Sequence, residues 1–379
     1  MTRSRITVLE LAPAADELWV LDRDSRSGYV GHAGGLAMLP DVARGAKLRP
    51  RVSAAYASGK ATNVARVLDA FLMPGAETPL ARDAKARVEG RLVTFLPAQP
   101  GGYNRPQVPG EVLAQFTPGG AYLACLQARD IHAVELEFAA LPPSEEGQRD
   151  RRCANIVARD GGELANFSPY LYWDAETAAA VIDRVSQEPP ADCFVLAGSL
   201  PLLDERPEPG LYAAVIAGLR SQHPHATITL DVGGAPLREC LERGGESCPD
   251  VLCINVDEYC GVPRELWEGY AGLAVVHDKR GCWAIRGRVL SLADLNATPP
   301  TARVPPGVRV HHTICAGDAS HGGLVLGLAL WGLGGDGVRQ AAALSQACGI
   351  GVVESEGGIR GLTAEGIEGD VRRVMDRSD

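Results

Sequence analysis

No two of the ten cysteines in this 379-residue chain stand in a C-x-x-C pair, so the spacing of a structural zinc site is absent. Positive charge is in deficit, with 37 Lys and Arg against 47 Asp and Glu and a net charge of −10. This balance argues against a nucleic-acid or anionic-membrane partner. A phosphate can still be held by local amides and a few Lys or Arg. No apolar run reaches the length of a membrane-spanning helix, and the first residues carry no leader pattern. The expected location is the cytoplasm, with reduced cysteines. Cys193 and Cys253 lie in apolar runs and read as small buried hydrophobes. Aromatics are only 5% of the chain while Gly reaches 44 residues, a composition that fits helices packed tightly on a sheet.

Apolar residues make up 46% of the chain, enough for a sizeable core. From residue 152 the rhythm is regular. Strand-like runs fall at 153–158, 193–197, 226–232, 251–254, 273–277 and 283–285, and helical segments at 174–187, 210–221 and 235–243. This alternation predicts a Rossmann-like α/β fold, with a central, mainly parallel sheet and helices on both faces. Earlier in the chain, strands are expected at 6–11, 91–96 and 131–138 and helices at 60–73 and 119–130; 318–375 should be mostly helical. The Pro- and Gly-rich 97–120 and the charged 142–150 read as surface insertions. Residues 1–379 read as one main domain, to which segments near 17–56 and 153–170 add a small β-rich lid.

Thr313-Ile314-Cys315-Ala316-Gly317-Asp318 precedes an Ala-, Gly- and Leu-rich run to Trp331. A polar turn before a helix surrounds one carboxylate with backbone N–H groups, and the positive helix end favours an anion. Phosphoryl transfer to a hydroxyl needs that combination: one group takes the proton while amides hold the phosphate charge. Read alone, the turn is also an ordinary helix cap. Ser58-Gly59-Lys60-Ala61-Thr62-Asn63 is a second small-residue turn. Lys60 and Asn63 offer donors at a helix start, either to a ligand or simply to solvent.

In this order the two turns resemble the DTxGAGD and GGKGxN patterns of the ribokinase/PfkB carbohydrate kinase family. Ala12-Pro13-Ala14-Ala15-Asp16 resembles its NPAxD, and Asn255-Val256-Asp257-Glu258 fits its NxxE. Gly198-Ser199-Leu200-Pro201 matches the GSLP of the 1-phosphofructokinase and tagatose-6-phosphate kinase branch. Cys153–Val157 with Gly161-Gly162-Glu163 resembles that branch's lid strands. The resemblance covers about 6–362, with insertions near 74–90, 97–118 and 142–150. It implies a ribokinase fold and ATP-dependent phosphorylation of a sugar or sugar phosphate, with the sugar between sheet and lid. Asp318 is then the general base, in an anion hole formed by Cys315, Ala316 and Gly317. Asp16, Gly59, Lys60 and Asn63 bind the sugar. Glu258 acts through magnesium-bound water, and Asn255 helps place the nucleotide phosphates. Mg2+ and ATP are the implied cofactor and donor; a monovalent cation and a homodimer are further expectations of the resemblance. Arg151 and Arg152 stand where that branch often has a basic residue for the substrate phosphate, and they read equally as a surface charge pair.

The proton-accepting carboxylate and the main sugar ligands match the family pattern, while the nucleotide side and several glycines depart from it. Ser58 and Ala61 replace glycines of GGKG, Cys315 the first glycine of GAGD, and Ala12 the asparagine of NPAxD. Asp278, in Val276–Gly281, replaces a glycine of TxGxxG. A side chain at Cys315 is expected to crowd the transferring phosphate or force a different φ. Asp278 should oppose phosphates unless Lys279 or Arg280 compensates. This pattern fits an active kinase with unusual donor geometry; the alternative is a degenerate member acting as a sugar- or nucleotide-binding regulatory protein. An NAD-dependent Rossmann enzyme is disfavoured, because no G-x-G-x-x-G follows the first strand. His311 and His312, adjacent in an extended segment, should face opposite ways and not share a metal. Trp173, Trp267, Trp283 and Trp331 read as packing residues.

Overall fold

The computed structural model describes residues 3–21, 51–97, 122, 131–142, 151–158, 163–168, 171–203, 206–355 and 358–375. β1 (Ser4–Glu10), β2 (Ala14–Leu21) and β3 (Arg51–Ser58) lead to α1 (Lys60–Leu72), followed by α2 (Pro79–Arg87), β4 (Val88–Pro97) and β5 (Glu135–Leu141). Next come β6 (Arg152–Ala158), β7 (Glu163–Phe167), β8 (Tyr172–Trp173), α3 (Ala175–Ser186), β9 (Cys193–Ala197), β10 (Leu202–Leu203), β11 (Arg206–Pro207) and α4 (Leu211–Gln222). Then follow β12 (Thr227–Asp231), α5 (Gly234–Arg243), β13 (Val251–Asn255), α6 (Val256–Cys260), α7 (Arg264–Glu268), β14 (Leu273–Asp278) and β15 (Gly281–Arg286). The chain continues through α8 (Leu292–Ala297), β16 (Ala302–Arg303), α9 (Ala316–Trp331), α10 (Gly335–Glu354) and α11 (Ala364–Met375).

Among the described residues the large sheet has nine strands, in the order β16-β15-β14-β13-β12-β9-β1-β4-β5. Pairing is parallel from β5 to β14 and antiparallel at β14–β15 and β15–β16. β9 (Cys-Phe-Val-Leu-Ala) is buried at every position, as expected of a strand covered on both faces. Phe194 and Leu196 enter the core under α3, α4 and α5; Cys193, Val195 and Ala197 enter the core under α1, α9, α10 and α11. The small residues of α9 let helices approach closely. A Cβ added at Gly322 would lie 2.7 Å from Val67 Cβ, and one at Gly327 would lie 2.5 Å from Ala341 Cα. Strand order changes direction between β1 and β9, which opens a crevice at their carboxyl ends. Beside it lies a four-stranded sheet, β3-β2-β6-β7, to which the described parts of the two segments expected to form the lid contribute; 22–50, 159–162 and 169–170 lie outside the described residues.

Several boundaries differ from expectation for visible reasons. The strand expected at 131–138 begins only at Glu135. Asp69 Oδ1 accepts the amides of His132, Ala133 and Val134 at 2.8, 2.5 and 3.0 Å, which withdraws them from the ladder. β4 starts at Val88 because Ser4 of β1 pairs with it. α2 was not anticipated, though Thr78 caps it and Pro79 opens it. Trp173, Trp267 and Trp283 are buried, and Trp331 is partly so. The helix expected at 119–130 lies outside the described residues except Tyr122, as do the 98–120 and 143–150 parts of the expected insertions. No described helix is long and apolar enough to cross a membrane.

Candidate active site

The carboxyl ends of β1 and β9, the start of α1 and the start of α9 meet at the crevice. They enclose a cleft of about 250 Å³ lined by Glu10, Lys60, Asn63, Arg151, Cys315 and Asp318, among others. Turns follow parallel strands at their carboxyl ends, so polar residues expelled from the strands gather here.

Asp318 stands in the first turn of α9 and is 8% exposed. Its Oδ2 accepts from Asn63 Nδ2 at 2.7 Å, and Asn63 Oδ1 accepts from Arg66 Nη1 at 2.7 Å. The guanidinium thus fixes which way the Asn63 amide faces. Asn63 Nδ2 is also 3.3 Å from Cys315 Sγ.

Cys315 is the N-cap of α9, with φ 64° and ψ 8°. It is the one non-glycine residue with positive φ among the described residues. A left-handed L-residue costs about 1–2 kcal/mol. The expectation that a side chain here would force a different φ is therefore corrected: the backbone keeps the conformation glycine favours, and the chain tolerates the strain. Of the two amides expected to hold an anion, that of Ala316 already donates to the Thr313 carbonyl at 3.2 Å. Gly317 faces His277 of β14, whose Nε2 would lie 3.5 Å from an added Cβ.

Gly59 precedes α1 with φ 119° and lies against Glu10: a Cβ there would stand 2.2 Å from Glu10 Oε2. Any other residue would displace the Glu10 carboxyl and hold a φ that side chains rarely adopt. Of the neighbouring departures from the glycine-rich pattern, Ser58 ends β3 and lines the cleft, whereas Ala61 packs into the core.

Lys60 Nζ donates to Asp231 Oδ1 at 2.8 Å. The Asp231 side chain is 3% exposed and that of Lys60 37%. Burial pulls the Lys60 ammonium down, but Asp231, Asp318 and Glu258 outweigh it, so its pKa ends above the ordinary lysine value. Burial pushes the Asp231 carboxyl up, but Lys60 and then His321 more than offset this and hold it below the ordinary range. His321 is fully buried, with Nε2 2.9 Å from Thr229 Oγ1. Burial pulls its pKa down to about 4.

Asn255 and Glu258 form a reciprocal cap on α6. Glu258 N donates to Asn255 Oδ1 at 2.8 Å, and Asn255 N donates to Glu258 Oε2 at 2.9 Å. Burial raises the Glu258 pKa, against the Asn255 amide and Lys60. Asp278 is compensated within its own turn, as the basic neighbours suggested: Arg280 Nε and N donate to its carboxylate at 2.8 and 2.7 Å. Arg151 donates to Ala12 O at 3.0 Å and to Ser168 Oγ at 2.7 Å. The backbone of Asp16 lies in β2, opposite Tyr56 and Cys153; its side chain, like that of Arg152, is outside the described set. His312 is buried against Gly358. Among the described residues no three His, Cys, Asp or Glu side chains are grouped to hold a metal.

Glu10, Asp231, His277 and His321 were not singled out in the sequence. Glu10 had a signal, a lone acid inside the apolar strand Ile6–Leu11. Asp231 had one too, an acid ending a strand before Gly233-Gly234.

No protein-family model matches the chain, and no curated protein matches it in sequence. Solved structures do match in fold. Escherichia coli phosphofructokinase-2 in complex with potassium aligns over 99% of this chain and 100% of its own, with TM-score 0.64 and 17% identity. The same enzyme in complex with fructose-6-phosphate aligns over the same shares, with TM-score 0.62 and 17% identity. A carbohydrate kinase from Agrobacterium tumefaciens aligns over 98% of both chains, with TM-score 0.55 and 14% identity. The chain therefore has the ribokinase-like α/β fold of these kinases.

Proposed function

We propose that the protein phosphorylates a hydroxyl of a sugar or sugar phosphate, with ATP as donor. The observation that carries this reading is Asp318: a carboxylate at the start of a sixteen-residue helix, held by Asn63, in the cleft at the switch point of the sheet. In this arrangement Asp318 accepts the proton of the acceptor hydroxyl while its oxygen attacks the terminal phosphorus and ADP leaves. The amide of Gly317 and the positive end of α9 stabilise the transferring phosphoryl group. Lys60, anchored on Asp231, adds a positive charge beside it. Arg151 lines the cleft and would meet an anionic group on the acceptor, which favours a sugar phosphate over a free sugar. Asp16 and Asn63 would bind acceptor hydroxyls.

Magnesium suits the oxygen donors here, since it keeps most of its waters and needs few protein ligands. Glu258 spends Oε2 on the Asn255 amide, and its Oε1 would hold a magnesium-bound water, which neutralises phosphate charge. Asn255 would help place the nucleotide.

The test is a coupled ADP-release assay with Mg-ATP over hexoses, pentoses and their phosphates, with and without potassium. Turnover of at least one acceptor, lost in Asp318→Asn, is expected. Silence across the panel together with measurable sugar binding would overturn the reading in favour of a regulatory binding protein.

A further inference from the structure

Glu10 is a buried carboxyl group that the chemistry above leaves unused. It ends β1, is 1% exposed and lines the cleft. Its bonds run to α1. The N-cap of that helix, Gly59, has no side chain to offer, and Glu10 Oε2 takes the cap's place by accepting from Thr62 N at 2.8 Å and from Thr62 Oγ1 at 3.0 Å. Oε1 accepts from Ala12 N at 3.2 Å. Gly59 allows this approach because any Cβ would collide with the carboxyl group. Lys60 and Asn63 flank Thr62 in the same turn.

We propose that Glu10 is a positioning residue: its carboxyl group seats the first turn of α1 and thereby sets the directions of Lys60 and Asn63 in the acceptor cleft. The inference rests on the kinase reading only for what the cleft binds.

The seat is also sensitive to protons. Glu10 reaches Thr62, whose hydroxyl is 2.8 Å from Tyr122 OH, itself 3.2 Å from Thr94 Oγ1. These hydroxyls can reverse, so a protonated Glu10 donates into the chain and an ionised one accepts from it. Burial pushes Glu10 up to about 7, against the Thr62 and Ala12 donors and Arg151. Tyr212, Tyr122 and, through Tyr122, Arg66 are further titratable or charged groups near it among the described residues, and Lys60 and Asp318 line the same cleft. A seated Glu10 holds its proton more tightly than a solvated one. By linkage, raising the pH through about 7 favours loosening of the turn.

The experiment measures two quantities between pH 6 and 8.5 in wild type, Glu10→Gln, Glu10→Leu and Thr62→Ala. One is amide exchange of residues 60–63, corrected for its intrinsic pH dependence. The other is the apparent KM for fructose 6-phosphate with Mg-ATP. Wild type should lose about tenfold in protection between pH 6 and 8.5, as expected for a carboxyl that titrates near 7 when seated and at its ordinary 4.5 when loose, and its KM should rise over the same range. Glu10→Gln should lack both steps, and Glu10→Leu should be loose at every pH. Thr62→Ala, which removes a donor to the ionised form, should move the steps to higher pH. A pH step in Glu10→Gln equal to the wild-type step, or full protection in Glu10→Leu, would overturn the proposal. If wild type turns over no acceptor, the kinase reading fails, and the exchange data decide Glu10 by themselves.

Discussion

Asn63 Nδ2 lies 2.7 Å from Asp318 Oδ2, across 255 positions of sequence, and Arg66 secures the other side of the Asn63 amide. A neutral donor so held fixes the direction of the carboxylate, while the Lys60 ammonium acts on it through its charge. That orientation suits a group whose task is to take a proton. Asp318→Asn should therefore abolish phosphoryl transfer, by roughly 10²–10⁴-fold, while calorimetric sugar affinity changes little. Near wild-type turnover in the variant would remove Asp318 from the base role.

Asn63 serves the acceptor and the base together. Asn63→Ala should weaken sugar binding by about 1–3 kcal/mol and lower kcat as well, with ATP affinity less affected. Asp16→Ala should weaken sugar binding alone. Calorimetry and steady-state kinetics on the two variants separate the cases, and unchanged sugar affinity in both would exclude them from the cleft.

The Lys60–Asp231 pair is asymmetric in exposure, and that predicts an asymmetric response. Lys60→Met strands a buried carboxylate. Asp231→Asn leaves an ammonium that is 37% exposed and still near Asp318 and Glu258. Breaking a fully buried pair costs about 3–5 kcal/mol, and solvent screening at Lys60 reduces this to roughly 2 kcal/mol. Urea midpoints should fall more for Lys60→Met than for Asp231→Asn, with the double variant recovering part of the loss. The reverse ranking would mean the pair is not the principal partner of Asp231.

At Cys315 the backbone already has the shape glycine allows. Cys315→Gly should relieve about 1 kcal/mol of left-handed strain, partly offset by the extra unfolded-state freedom of glycine. Turnover should change by no more than a few-fold, because the amides of α9 stay where they are. Cys315→Val, β-branched at the same φ, should destabilise. A large rise in turnover for Cys315→Gly would show that the thiol obstructs the phosphate.

Two buried groups titrate with opposite sign over nearly the same range. Burial lowers His321 from 6.5 to about 4, so its contribution is complete above pH 6.5 and is lost as pH falls through 4. Burial raises Glu10 from 4.5 to about 7, so its contribution is complete below pH 4.5 and is lost as pH rises through 7. Each is worth roughly 3 kcal/mol at 1.36 kcal/mol per pKa unit. Wild-type stability should be nearly level between pH 4.5 and 6.5. Glu10→Gln should expose a loss toward acid, and His321→Gln a loss toward neutral pH. Parallel pH–stability curves for all three proteins would contradict both shifts.

The strand and helix rhythm after residue 152 was legible because parallel strands buried on both faces are continuous apolar runs, as in β9 and β13. The turn at Cys315–Asp318 and the start of α1 were legible because glycine and polar residues there interrupt apolar helices. Asp69 could not be read as the residue that delays β5, since its partners lie over 60 positions away. Glu10 and Asp231 looked like ordinary strand-end acids, and only the fold gives them Thr62 and Lys60 as partners. The meaning of Cys315 depended on φ, which the residue name does not carry.

β1 is an interior strand of the large sheet, between β4 and β9, and this has a consequence for how the chain is made. The strand is synthesised well before its β9 partners, which begin at Cys193, opposite Ile6. At about 5–20 residues per second, roughly 10–40 s of synthesis separate the two strands. During that interval an apolar strand has one edge open and both faces without their full cover, a condition prone to intermolecular pairing. Because pairing at such long range also slows folding, the N-terminal third should depend on chaperones during translation, and truncations ending before β9 should aggregate.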